Sequence, residues 1–140
     1  KGHQSAPFYS SIPAGSGLAS RTDVSNCDSD VLLSDGSLLS DLGWYCGNSS
    51  SSTHPIKEKQ PNPFGFYDFI GNVYEWVHDD YSIPTSDPQI NPCISGDGDK
   101  ILKGGDWNNQ PQNLRPAFRT SASPTTNYSR FGFRFARNHW

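Results

Sequence analysis

The sequence predicts an α+β domain of short antiparallel strands, few helices and much irregular chain. Three observations carry this. Phe131, Phe133 and Phe135 alternate with Gly132 and Arg134, a period of two that reads as a strand. Phe66, Phe69, Ile70, Val73, Trp76 and Val77 recur at helical spacing, which reads as helical turns packed on a core. The chain between these segments is rich in Ser, Asn, Gly and Pro, with 13 Gly and 11 Pro, so much of its backbone is turn and loop.

Taken in order, residues 1–40 are rich in Ser, Gly and Asp. The pieces "VLLSDG" and "SLLSDLG" resemble a short duplication. They suit either a turn of helix or short strands. Residues 47–65 form a connector of Ser and Pro, extended and irregular. Within "FGFYDFIGNVYEWVHDDY" the pair Gly71-Asn72 interrupts the helical period. A turn is expected there, with "NVYEWVHD" passing into a strand. Residues 82–100 read as a Pro/Gly loop, and "SGDGDK" within it as a turn rather than a calcium loop, since the spacing of an EF-hand is missing.

"KILKGG" then reads as a strand ended by glycines. With residues 131–137 it is expected to form a hairpin of neighbouring strands whose tip is the long polar segment. Gly104 and Gly105 permit the positive φ of a sharp turn, and Trp107 is expected to anchor the loop base by burial. A polar segment held at both ends by a scaffold is the arrangement that binding loops use.

The composition bounds the function. The 140 residues fit one domain, 1–140. Hydrophobic residues make up only 33%, but aromatics make up 13%, and each aromatic buries roughly 150–250 Å². That favours a folded chain over a disordered one. The net charge of -3 leaves no electrostatic footprint for nucleic acid or an anionic membrane. No apolar run reaches the length of about eighteen residues that a membrane helix needs. The chain opens at Lys1 in what reads as loop, so a processed product or a fragment is expected. Cys27 and Cys46 can close a loop of about twenty residues, worth about 3 kcal/mol; the other reading is three separate thiols, Cys93 included. The Ser/Asn-rich, weakly charged chain suits a secreted or surface protein.

Three motifs carry a resemblance. "NPFGFYDFIGNVYEWVHDDY", then "ILKGGDW", then "GFRFAR" resemble, in order and spacing, the pattern of the formylglycine-generating-enzyme (sulfatase-modifying factor) family. The match covers about residues 42–137. The resemblance implies a C-type-lectin-like fold of short strands, two helices and irregular chain. It also implies that this chain is the C-terminal portion of a larger domain, whose upstream half lies on a separate or removed portion. The family's enzymes oxidise a substrate cysteine with a copper-binding cysteine pair that lies between the G-G-S and G-F-R motifs. Here residues 104–134 contain no cysteine, so the thiolate ligands of a soft metal are missing from that interval. The expectation is therefore a chain that is not an enzyme.

"GGDWNNQPQNLRPAFRTSASPTTNYSRFGFR" further resembles the variable region of proteins diversified by retroelements, in which adenines of Asn codons are randomised. Such codons cannot yield Trp, Met, Gln, Lys or Glu, and none of these five occurs between Phe118 and Phe131. The resemblance implies a binding face over about 106–131. Its contacts would be Asp106, Asn109, Phe118, Thr120, Ser121, Ser123, Thr126, Tyr128 and Phe131. Gly104, Gly105, Trp107, Arg115, Arg119 and Arg134 would support them. Short polar side chains with Tyr and Phe resemble an antibody paratope in composition.

The family resemblance also points to Asn72 and Glu75 in "GNVYEW" as oxygen ligands of a structural Ca²⁺. The other reading is a turn Asn and a surface Glu, with no cofactor required. His78 with Asp79 and Asp80 reads either as a base with an orienting carboxylate or as the solvated end of a strand. The leading expectation is a non-catalytic domain displayed outside the cell, on a cell or virion surface. Its partner would be a protein or glycan on a target surface, with association to an upstream portion or other subunits. The alternatives are an oxidoreductase with an altered metal site, tested by copper-dependent oxygen consumption, and a structural subunit of an extracellular assembly, tested by oligomeric state.

Overall fold

The computed structural model describes residues 26–28, 30–33, 36–88, 90 and 92–136. Residues 1–25 of the expected N-terminal loop lie outside the described residues. Among the described residues, one helical turn, α1 (Leu39–Leu42), precedes four strands: β1 (Tyr74–Asp80), β2 (Lys100–Lys103), β3 (Thr120–Ala122) and β4 (Phe131–Gly132). A 3₁₀ turn at Pro111–Leu114 lies between β2 and β3. The sheet order is β3-β2-β1-β4. β2 runs antiparallel to both β1 and β3, whereas β4 runs parallel to β1.

The duplicated Leu-rich pieces adopt both of the conformations that they suit. Leu32 bridges Leu38 in antiparallel fashion, and Leu39–Leu42 forms the helical turn. Asp41 Oδ2 accepts the Leu38 N–H at 3.2 Å, satisfying one free donor of that turn. Val31, Leu33, Leu39, Tyr45, Ile70 and Leu114 form one buried cluster, with Leu42 and Cys46 packed against it. Cys27 and Cys46 are joined by a disulfide with Cα atoms 5.3 Å apart. The N-terminal segment is thus stapled to the core that carries the sheet.

Two expectations are corrected. The segment before Tyr74 is not helical. Asn62 Oδ1 accepts the backbone N–H of both Phe64 and Phe66 at 3.0 Å, and Asp68 and Asn72 adopt positive φ. Positive φ at Asp68 and Asn72 breaks a right-handed helical ladder, and the Asn62 side chain takes the N–H donors of a local turn in place of backbone partners. Side-chain spacing alone could not reveal this.

The second correction concerns the hairpin. β2 and β4 are not neighbours, because β1 lies between them. The antiparallel partner that β2 finds on the way back is β3, with Leu102 opposite Thr120. The strand at 131–137 is also shorter than its alternation implies, and Phe133 and Phe135 are 68% and 90% exposed. Glu75 faces Lys103 on one side and Gly132 on the other. The long segment therefore leaves and returns at one level of the central strand.

Gly71 holds the crossing of two chains. Its φ is +75°, and a Cβ there would lie 2.0 Å from the Trp44 carbonyl oxygen. Gly71 N–H donates to Gly104 O at 2.9 Å, and Asn72 N–H to Trp44 O at 2.8 Å. Backbone approach this close requires glycine.

Candidate functional site

The Gly104-Gly105 turn has positive φ at both residues. A Cβ on Gly105 would crowd Leu114 Cγ at 3.1 Å, so the second glycine also admits the 3₁₀ turn. Beyond it the chain is pinned repeatedly. Trp107 N–H donates to Asn72 O (3.0 Å), Ser49 Oγ donates to Trp107 O (2.8 Å), and Cys46 N–H donates to Asn109 O (3.1 Å). Trp107 is thus held by its backbone as well as by partial burial of its ring.

Asp106 sits at the centre. It is 1% exposed, and a buried carboxylate must find partners. Asn108 N–H donates to Asp106 Oδ1 at 2.9 Å, and Arg130 Nη1 approaches Asp106 Oδ2 at 3.1 Å. Asn109 Oδ1 accepts the Asp106 N–H at 3.0 Å. Burial raises the Asp106 carboxyl above the ordinary carboxylate value, while the Asn108 N–H and the Arg130 guanidinium oppose that rise. Burial first, then the Asp106 charge, pushes the Tyr74 phenol up to about 12.

Arg130 reaches outward from this pair. Its guanidinium lies 4.6 Å from the Tyr128 ring centroid and 5.8 Å from that of Trp107, within cation–π range. Arg130 Nη2 also donates to Tyr128 Oη at 2.8 Å. Phe131 meets Tyr74, Trp76 and Tyr128 edge to face, with centroids 6.3, 5.3 and 5.4 Å apart. Tyr74, Tyr128, Arg130 and Phe131 line a shallow groove of about 230 Å³ together with Leu102, Thr120 and Ser121.

Six of the nine contacts expected from sequence line this groove: Asp106, Asn109, Thr120, Ser121, Tyr128 and Phe131. Ser123 and Thr126 lie in the adjoining turn, where Thr126 N–H donates to Ser123 O at 2.9 Å. Phe118 stands apart from the groove, with its carbonyl accepting Lys103 Nζ at 2.8 Å. Burial first, and then Arg119, lowers the Lys103 ammonium below the usual lysine range.

The expected supports divide. Gly104, Gly105 and Trp107 hold the base of the groove. Arg115 instead donates from Nε to Gln112 O at 2.9 Å, closing the 3₁₀ turn. Arg119 stacks over Tyr81, 5.2 Å from its centroid. Arg134 clamps another face, pairing with Glu75 at 2.7 Å and donating to Tyr67 O and Asp68 O. Arg130 was missing from the expected set. The signal for it was present, since an Asp placed beside the anchoring tryptophan calls for a cation nearby.

Asn72 and Glu75 do not fit a shared cation. Asn72 Oδ1 accepts the His54 N–H at 2.9 Å, and Asn72 Nδ2 donates to His54 O at 3.0 Å. Both Glu75 carboxylate oxygens accept from Arg134 Nε. The guanidinium already supplies the positive charge that a metal would bring.

Residues 25–139 match the model of the sulfatase-modifying factor enzyme 1-like domain. The chain belongs to this family. Its fold is the α+β, C-type-lectin-like one, and its small sheet is mixed rather than wholly antiparallel. The match extends further toward the N-terminus than the three motifs indicate. The formylglycine-generating enzyme of Mus musculus is 33% identical over 92 residues, which is 62% of this chain and 25% of the mouse protein. The serine/threonine-protein kinase pkn1 of Chlamydia pneumoniae is 34% identical over 94 residues, covering 64% of this chain and 15% of the kinase. Among solved structures, Treponema denticola variable protein 1 is 38% identical with a TM-score of 0.61, covering 68% of this chain and 35% of that one. The matched region therefore spans less than a third of the curated relatives' lengths. The likeness to a variable protein agrees with the resemblance of the C-terminal segment.

Proposed function

We propose that this family member is a non-catalytic binding domain whose face is the groove around Arg130, and that its side chains are diversified over about 106–131. One observation supports this most: Asn109, Thr120, Ser121, Tyr128 and Phe131 converge on one groove, beneath which the buried Asp106 holds Arg130 rather than meeting a ligand itself. Their backbones are fixed by glycine turns, strand pairing and a buried ion pair, while Thr120, Ser121 and Tyr128 remain partly open to solvent. Such a surface offers hydrogen-bonding groups and rigid aromatic contact area at low entropic cost. The proposed ligand is a protein or glycan on another surface, met outside the cell.

The lack of cysteine in residues 104–134 supports the non-catalytic reading over an oxidoreductase. Sequencing the coding region from many members of one population tests the proposal. Substitutions concentrated within about 106–131, with Gly104, Gly105 and Trp107 constant, are expected. Invariance across that segment refutes diversification. Copper-dependent oxygen consumption with a cysteine peptide refutes the non-catalytic reading.

A further inference from the structure

A second cluster lies at the other end of β1. His78, Asp79 and Cys93 each offer one ligand atom, and the three atoms lie within 4.8 Å of one another. The geometry points to a site for a zinc-like divalent metal ion, held by His78 Nδ1, an Asp79 carboxylate oxygen and the Cys93 thiolate.

Adjacent residues on a regular strand point to opposite faces. Here the β1–β2 register shifts between Trp76 and Asp80. At this irregular stretch the ligand atoms of both His78 and Asp79 lie near the Cys93 thiol. Cys93 is held by its neighbour: Asp80 N–H donates to Ile94 O at 2.7 Å, and Ile94 N–H donates to Asp79 Oδ1 at 3.2 Å. The second bond also orients the carboxylate, as partners beyond the ligands do in metal sites.

The spacing suits tetrahedral coordination. With Zn–S near 2.3 Å and Zn–N near 2.05 Å, tetrahedral ligands stand about 3.6 Å apart. Cys93 Sγ and His78 Nδ1 are 3.8 Å apart. Imidazole, carboxylate and thiolate together favour a borderline-soft ion over calcium or magnesium. Three protein ligands leave a fourth position for water or a ligand atom. His78 and Cys93 are exposed, so an ion can reach them. Cys93 is the one free cysteine, because the other two form the disulfide.

The test uses the oxidised protein, stripped of metal and kept free of reductant. Zinc alone is titrated against a chromophoric chelator, and cobalt is added separately to look for thiolate-to-metal absorption. One equivalent of zinc and a thiolate band with cobalt are expected. Losing groups that merely orient ligands costs 10–100-fold in affinity, so Cys93→Ser and His78→Ala should each weaken zinc by at least about tenfold. Both substitutions are at the surface, and circular dichroism checks that each variant is folded. In the unaltered protein, zinc should slow alkylation of Cys93, a readout that needs no variant. Failure to bind zinc, equal affinity in Cys93→Ser, or unchanged alkylation overturns the proposal.

Discussion

Replacing Arg130 with Gln should destabilise the domain in a pH-dependent way. The Asp106 carboxylate is 1% exposed and meets Arg130 at 3.1 Å. At an effective dielectric near 20, unit charges at that distance attract by about 5 kcal/mol. Desolvation of the pair takes back a large share, so the net loss at neutral pH is about 2–3 kcal/mol. The Asp106 carboxyl already lies above its ordinary 3.8, chiefly through burial. Without the guanidinium it rises further. The folded variant then binds more protons than the unfolded chain between 3.8 and the raised folded value. Its stability must therefore increase as pH falls through that window. Urea unfolding of both proteins at pH 7 and near pH 4.5 measures this. A penalty clearly smaller at the lower pH is expected. An equal penalty at both, or none at neutral pH, would show that the ion pair does not hold the groove.

Three further outcomes follow from the fold. Reducing the Cys27–Cys46 disulfide, which spans a sequence separation of 19, should cost about 3 kcal/mol, read as a lower urea midpoint in reductant. Gly71→Ala must place a methyl 2.0 Å from the Trp44 carbonyl at a φ of +75°; a loss of about 3 kcal/mol or more is expected, and a thermal midpoint close to that of the original chain would contradict the close crossing. Burial works to raise the Asp30 carboxyl, but donors from Ser40, Val31 and Tyr45 outweigh it and hold the group below its ordinary 3.8. Stability from Asp30 is thus present above 3.8 and lost as pH falls through the lower folded value, so Asp30→Asn should flatten part of the acid limb of a stability-pH curve.

The strand at Tyr74–Asp80 was legible because Tyr, Trp and Val favour a pleated, half-buried surface. The turn at Gly104-Gly105 was legible from its residues alone. The helical period at 64–73 misled, because hydrophobic spacing records which side chains are apolar and not which backbone groups are diverted by Asn62. The partner of β2 was also hidden. Thr120–Ala122 is short and polar, and its place comes from pairing with a buried strand rather than from its own propensity. In the groove, the resemblance to a variable region brought out Asp106 and Tyr128, but the Arg130 bridge between them depends on distances that sequence does not carry. Arg119 and Arg134 showed the converse: expected to support one face, they serve Tyr81 and Glu75 instead.

Lys103 and Gly132 flank the same residue of the central strand. Two strand spacings separate them, about 9.5 Å. The intervening stretch is thus a closed excursion whose mouth is set by the sheet and not by its own contents. Exchanging side chains along it leaves the closure distance untouched. Inserting or deleting a residue changes what must be spanned, and it moves β3 out of register with β2. Solvent-facing side chains on this frame can change without altering that span, whereas the Asp106–Arg130 pair and the pinned Trp107 cannot be exchanged without cost.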